Sequence, residues 1–262
     1  MFNKKINEFI VEVSHKKIDQ PKKSVYFNHI HNHCEILLFL SGEANYNIDG
    51  HVLRPEAYDL LFIPAATYHY LIPTSETVPY ENYVIGIDPA LINPEHYERL
   101  FSEPLMLSIA GEPFITDFFK RLDDYNELYS SDDFKKAASS LIDELIIYLY
   151  YKKDSLKSRE NSVHSHISAI ISFVAENIQK PLDASVIAAH FHFSKSYVQN
   201  LFSKVMHIGL KKYIMQKKIY AANTDLSSGL SPSAVAAKYS FGDYSSFYRL
   251  YKKTFLGTPV KH

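Results

Sequence analysis

Read as a pattern of apolar and polar positions, the chain changes period near residue 113. Before it, short apolar runs alternate with turn residues about every ten positions, the spacing of a small antiparallel β-barrel or jelly roll. Residues 6–13 and 24–27 read as short strands. The stretch that follows, if extended, turns His29, His31, His33 and Glu35 onto one face, because strand side chains alternate. Asp49-Gly50 is a two-residue hairpin signal between Ala44–Ile48 and Val52-Leu53. Further runs lie at 58–64, 66–72 and 83–88.

From Pro113 the period becomes helical. Phe114, Phe118 and Leu122 mark one helix ending near Tyr129. Ser131-Asp132-Asp133 caps the next, which runs to about Lys153. Its stripe of Phe134, Ala138, Leu141, Ile142, Leu145, Tyr148 and Leu149 is too wide for a solitary surface helix. A helical hairpin on the barrel covers part of it, and a second copy of the chain is the expected cover for the rest, the alternative being packing within the chain. The polar run 152–162 reads as a linker.

Beyond it two patterns repeat. Leu182, Val186, Ile187 and Ala189 give a short apolar stripe. Ser194 then caps a second helix whose Val198, Leu201, Phe202 and Val205 face a core. Its other face gathers Ser196, Gln199 and Asn200, flanked by Lys195 and Lys204. Amide side chains there can pair with base edges and lysines with phosphates. Ser231-Pro232 opens the second copy, with Val235, Ala236 and Tyr239 inward and Phe241-Gly242-Asp243 as the turn. Phe247, Leu250 and Tyr251 form the inner stripe of its second helix, and Tyr244, Ser245, Tyr248, Arg249 and Lys252 the outer face. Arg249 is the candidate guanine contact. One continuous helix over 209–226 separates the copies. At 1.5 Å per residue it is roughly 27 Å long, close to the ~34 Å between successive major grooves on one face of DNA.

These residues resemble the DNA-binding domain of the AraC/XylS family of transcription regulators. The match runs through 194–204, Tyr213-Ile214, Lys218-Ile219 with Ala222, residues 236–247, and Lys252-Lys253 to Thr258-Pro259. The resemblance implies seven helices, two helix-turn-helix units and sequence-specific binding of duplex DNA. The family usually has Arg at Lys218 and Leu at Asp225, glycine at His207 and Leu256 (with Gly209 and Gly257 displaced), and Gly-Phe where Ser240-Phe241 stands.

Charge sharpens the picture. The net charge of −1 conceals twelve basic against four acidic residues over 164–262, and sixteen against twenty-five before them. A basic half beside an acidic half points to a polyanion as partner of the former. Cys34 is the only cysteine, which excludes an intrachain disulfide and permits a cytoplasmic setting. Neither a signal peptide nor a membrane span is expected.

The earlier segment resembles a cupin barrel over about residues 20–90. The first motif is met at His29, His31, Glu35 and Gly42. The second is met by Pro64 and His69, with Tyr58 and Ala66 where glycines are usual and Pro73 where Asn is usual. His29, His31, His69 and Glu35 are a chemically complete set for one divalent ion, which opens the alternative of a cupin metalloenzyme, an isomerase or dioxygenase. The family resemblance instead implies a pocket without metal or other cofactor, lined by some of His29, His31, Glu35, Tyr46, His69 and Tyr83. Cys34 points the other way and is not part of it.

The expected protein is thus α+β. Residues 1–112 form a cupin-like effector barrel and 113–153 a dimerising helical hairpin. Residues 154–162 are the linker and 163–262 an all-α domain with two helix-turn-helix motifs. It is read as a ligand-responsive cytoplasmic regulator rather than an enzyme, a homodimer sensing a small molecule such as a sugar.

Overall fold

The computed structural model describes residues 1–5, 10–23, 26–159, 162–255 and 258–259. Residues 6–9 and 24–25 of the first two expected strands, and Leu256 and Gly257, lie outside the described residues. The chain divides into two compact units, Met1–Ser162 and Val163–His262. Among the described residues no helix is long and apolar enough to cross a membrane.

The first unit is built on two sheets. One holds β1 (Phe2–Lys4), β2 (Ile10–Ile18), β9 (Tyr80–Ile87), β4 (Cys34–Ser41), β7 (Asp59–Ile63), β10 (Leu105–Ser108) and β11 (Lys157–Ser158), in that order. In the other, β6 (His51–Leu53), β5 (Ala44–Ile48), β8 (His69–Pro73) and β3 (Tyr26–His29) lie in sequence. The pairings between these strands are antiparallel. The predicted hairpin forms: Ile48 pairs with His51, and Asp49 and Gly50 both have positive φ (44° and 82°), as a type I′ turn requires.

The large sheet is covered on both faces. Leu37, Phe39, Leu61 and Ile63 point inward against Ala44, Tyr46, Ile48 and Leu53 of the second sheet. The alternate residues Cys34, Ile36, Leu38, Leu60 and Phe62 pack under α1 (Pro94–Phe101), α2 (Pro113–Leu128) and α3 (Ser131–Lys152). Burial on both faces explains the nearly unbroken apolar runs of β4 and β7.

That packing corrects two expectations. The wide stripe of α3 needs no second chain: Phe134, Ala138, Leu141, Ile142, Leu145, Ile146 and Leu149 are all buried within this one, and Tyr148 is half-buried. The polar run after α3 is in part structural: β11 extends the large sheet, Leu156 is buried, and Arg159 pairs with Glu56 at 2.6 Å and the fully buried Asp59 at 3.2 Å.

The second unit is helical: α4 (Ser165–Glu176), α5 (Ala184–Phe191), α6 (Lys195–Met206), α7 (Leu210–Ser227), α8 (Pro232–Lys238) and α9 (Tyr244–Phe255). Ile167, Ile170, Ile187, Phe202, Tyr213 and Phe247 are fully buried in it. One detail differs from the pattern: α5 buries Ala184, Ile187 and Ala188, leaving Val186 and Ala189 exposed. The side of α5 that the hydrophobic count picked is offset by about one residue.

Candidate functional site: a two-part reader and a barrel pocket

The first pair is α5, a short turn and α6. Asp183 accepts from the backbone N–H of Ser185 and Val186 and caps α5. His192 ends it in the left-handed conformation, φ 57°. Ser194 accepts from Tyr197 N–H at 3.1 Å and caps α6, whose Val198, Phe202 and Met206 are buried. Lys195, Ser196, Gln199, Asn200 and Lys204 are all exposed on the outer side. The second pair repeats this. Ser231 caps α8 through Ala234 N–H, and Asp243 caps α9 through Ser246 N–H at 2.7 Å. Phe247 and Tyr251 are buried, Tyr244, Ser245, Arg249 and Lys252 exposed, and Tyr248 half-buried. The hydrogen bonds from Ser246 to Asp243, with the charge of Arg249, hold that carboxyl below the ordinary aspartate range.

The long helix α7 joins the pairs, and its middle carries a feature that sequence reading missed. Lys218 is 3% exposed, and its ammonium donates to the carbonyl oxygens of Lys180, just before α5, and Tyr239, at the end of α8. Burial lowers its pKa. One charge thus ties both pairs to α7. Lys238 pairs with Asp225 at 2.6 Å, and Ser240 Oγ donates to the Gln179 carbonyl.

Four of the departures from the family patterns fall on strained backbone. His207 (φ 51°), Ser240 (φ 53°) and, in the barrel, Ala66 (φ 54°) adopt the left-handed region where glycine is preferred. Tyr58, where a second cupin glycine is usual, does the same at φ 68°.

The barrel interior holds a cavity of about 310 Å³ bordered by Glu12, Lys16, His29, Glu35, Tyr46, His69, Tyr80 and Asn82, with Ile18, Leu37, Ile63, Leu71 and Val84 among its apolar walls. Of the expected residues, His29, Glu35, Tyr46 and His69 line it. His31 adjoins it through Glu35, with Nε2 2.9 Å from Glu35 Oε1. Tyr83 does not belong there. It lies on the helix-facing side of β9, hydrogen-bonded to Asp123 of α2, stacked on His15 at 4.0 Å and packed on Phe119. Strand alternation gives the cavity its neighbours Asn82 and Val84 instead. Asn82, Tyr80, Glu12 and Lys16 carried no motif that could have singled them out.

His31 and His33 are not in a strand. β3 ends at His29 and β4 starts at Cys34. In the bend between them His31 stacks on His33 at 3.6 Å and contacts the His33 carbonyl through Nδ1 at 2.8 Å. Gly86 leaves room for the His33 ring: a Cβ there would meet it at 2.8 Å. Burial alone would raise the Glu35 carboxyl, but contacts with His31 and His33 and the charge of His69 hold it well below its ordinary range. Burial pulls His31 down, but its contact with Glu35 outweighs this and raises it. Burial takes His69 down to about 4, so it is neutral near pH 7. Tyr46 and Tyr80 share a hydrogen bond through their hydroxyls, and burial raises both. Cys34 is buried on the opposite face with Sγ toward the Ile87 carbonyl.

Comparison with known proteins is consistent across both units. Residues 18–160 match the AraC-like ligand binding domain, and residues 187–261 a helix-turn-helix domain. The regulatory protein SoxS of Salmonella typhimurium is 30% identical over 94 residues, 36% of this chain and 88% of its own. The Msm operon regulatory protein of Streptococcus mutans is 21% identical over 276 residues, covering 98% of this chain and 93% of its own. The melibiose operon regulatory protein of Escherichia coli is 28% identical over 102 residues, 37% of this chain and 34% of its own. With a ligand-binding unit and a doubled helix-turn-helix unit in one polypeptide, the chain belongs to the AraC family of transcription regulators.

Proposed function

We propose that this protein is a cytoplasmic, ligand-responsive regulator in which α6 and α9 enter successive major grooves of duplex DNA while the barrel cavity binds a small molecule. One observation carries the reading: two capped helices, each apolar inside and amide-, hydroxyl- and cation-bearing outside, are hung on one helix by the same buried lysine. Gln199, Asn200 and Arg249 are the base readers, Ser196, Ser245, Tyr244 and Tyr248 adjust the fit, and Lys195, Lys204 and Lys252 meet phosphates. The roughly 27 Å length of α7 supports a spacing of one helical turn of DNA.

A sugar-like effector suits the cavity. The volume sits at the small end of ligand pockets, roughly 300–1,000 Å³. Its lining mixes tyrosine hydroxyls, an amide and carboxylates with apolar walls, and Asn82 Oδ1 is a buried acceptor without a partner. Such a ligand acts only by favouring one arrangement of the regulator over another. A second copy is proposed to dock on the exposed Phe114, Ile147 and Tyr151 of the helical hairpin.

The test is footprinting of the purified protein on its own upstream region at stated salt, against bulk competitor DNA. Protection of a discrete site is expected, and affinity no better than for bulk DNA would overturn the reading. A thermal-shift screen of sugars and small acids identifies the effector, since a ligand of the native state raises the melting temperature.

A further inference from the structure

The first turn of α4 meets the first turn of α6 at a pair of exposed side chains. His166, in the opening turn of α4, brings Nδ1 to 3.0 Å from the hydroxyl of Tyr197 in α6. Phe193, from the turn between α5 and α6, closes the cluster. Its ring lies 5.0 Å from that of His166 and 5.0 Å from that of Tyr197, edge-on to the latter. Tyr197 is 41% exposed, so apolar burial does little to fix it. Its backbone N–H is held by Ser194 and its hydroxyl by His166.

Position gives the pair a meaning. Tyr197 precedes Asn200 by three residues and Lys204 by seven, spacings that put all three on one flank of a helix. That flank carries a phenol hydroxyl, an amide and an ammonium, each on an exposed residue. The second pair is built differently. Its corresponding position, three beyond the cap Asp243, is Ser246, whose hydroxyl turns back to the Asp243 carboxylate at 2.8 Å.

Hydrogen-bond accounting sets what the Tyr197 hydroxyl can do. A phenol has one proton to give. If it donates to Nδ1, only its lone pairs face outward. If Nδ1 carries a proton and donates to the Tyr197 oxygen, the phenol proton is free. A phosphate oxygen only accepts, so it selects the second arrangement. We propose that Tyr197 donates its hydroxyl proton to a DNA phosphate at the rim of the groove that α6 enters, and that His166 is the positioning residue, holding the tyrosine oxygen through a protonated Nδ1. This rests on the reading of α6 as a DNA-reading helix. It adds a neutral anchor beside the lysine contacts and makes α4 part of the interface. Because the ring is placed before DNA arrives, less freedom is lost on binding.

The experiment uses the full-length protein with a duplex carrying its footprint and a scrambled duplex, at several salt concentrations. Tyr197→Phe should weaken binding to both about tenfold, with the salt slope unchanged, since a neutral donor releases no counterion. His166→Ala should lose most of the same factor. His166→Asn, whose amide can donate from about the place of Nδ1, should keep most of the affinity. The double variant Tyr197→Phe with His166→Ala should bind no worse than Tyr197→Phe alone, because the two groups act as one. Nitrogen NMR of isotope-labelled histidine should show His166 Nδ1 protonated in the complex. Melting temperatures should stay at the wild-type value. A fall in stability matching the loss of affinity would make the pair a staple between helices and overturn the contact. Wild-type affinity of Tyr197→Phe, additive losses in the double variant, or an unprotonated Nδ1 in the complex would overturn it too. The two readings fail separately: wild-type protein with no site preference above bulk DNA sinks the regulator, while the tenfold loss on scrambled duplex still reports the phosphate contact.

Discussion

Lys218 donates from the middle of α7 to the carbonyl oxygen of Tyr239 at 2.8 Å, and the same ammonium reaches Lys180 at 2.7 Å. Tyr239 ends α8 and Lys180 precedes α5, so this single charge satisfies a carbonyl from each helix pair. Lys218→Met removes the donor from both carbonyls, the buried contact with Tyr239 among them, and should cost about 1–3 kcal/mol. Lys218→Arg, with more donors in a planar fork, should retain most of the stability. Urea unfolding of the three proteins distinguishes them. Equal stability of the Met variant would show that the charge contributes nothing beyond its stem.

The exposed faces of α6 and α9 separate into two kinds of contact. Arg249→Ala and Gln199→Ala should each cost about 1–3 kcal/mol on the specific site and relax preference at one base pair. Lys204→Ala and Lys252→Ala should instead weaken binding to all sequences alike and lower the salt slope by about 1 each. Binding isotherms at several salt concentrations on specific and scrambled duplexes read both effects.

Left-handed backbone at His207, Ser240 and Ala66 costs an L residue roughly 1–2 kcal/mol, partly offset by the larger unfolded-state entropy of glycine. Each change to glycine should therefore stabilise the protein by up to about 1 kcal/mol, read as a higher denaturation midpoint. Ala66 N–H also donates to the His31 carbonyl at 2.8 Å, so Ala66→Gly keeps that bond.

Asp243 caps α9 while ionised, and its folded pKa lies below the ordinary aspartate value because Ser246 donates to it. A depressed folded pKa means that the contribution is complete above the unfolded value, about 3.9, and disappears as pH falls through the folded one. Acid titration followed by circular dichroism should show α9 loosening below about pH 4. Asp243→Asn, which caps without titrating, should remove that phase. A phase unchanged in the variant would assign it elsewhere.

Phe114, Ile147 and Tyr151 are 48%, 42% and 76% exposed on α2 and α3. If they seat a second copy, Ile147→Glu with Tyr151→Glu should convert a dimer to a monomer in sedimentation equilibrium without lowering the melting temperature of the monomer. A wild-type protein that is already monomeric at tens of micromolar would remove the dimer from the mechanism.

Local physics was legible in the sequence. Caps at Ser194, Ser231 and Asp243 announce themselves by residue type, the Asp49-Gly50 turn by its demand for positive φ, and the helical stripes of α6, α7 and α9 by their period. Glycine positions occupied by His207, Ser240 and Ala66 were visible as departures, and the backbone shows that the left-handed demand remained. Which layer covers a face was not legible. Tyr83 and Asn82 are adjacent on β9, one against α2 and one against the cavity, and with both sheet faces buried the polar alternation that would have told them apart is missing. The α3 stripe likewise stated how much surface must be covered but not by what, and the fold covers it with its own sheet and helices. His31 reaches Glu35 through a bend rather than a strand, a geometry set by contacts with His33 and Ala66. Short-range hydrogen bonding and hydrophobic period thus determined the elements. The partners of each face, and with them the convergence of His29, His31, Glu35 and His69, were decided only when distant segments packed.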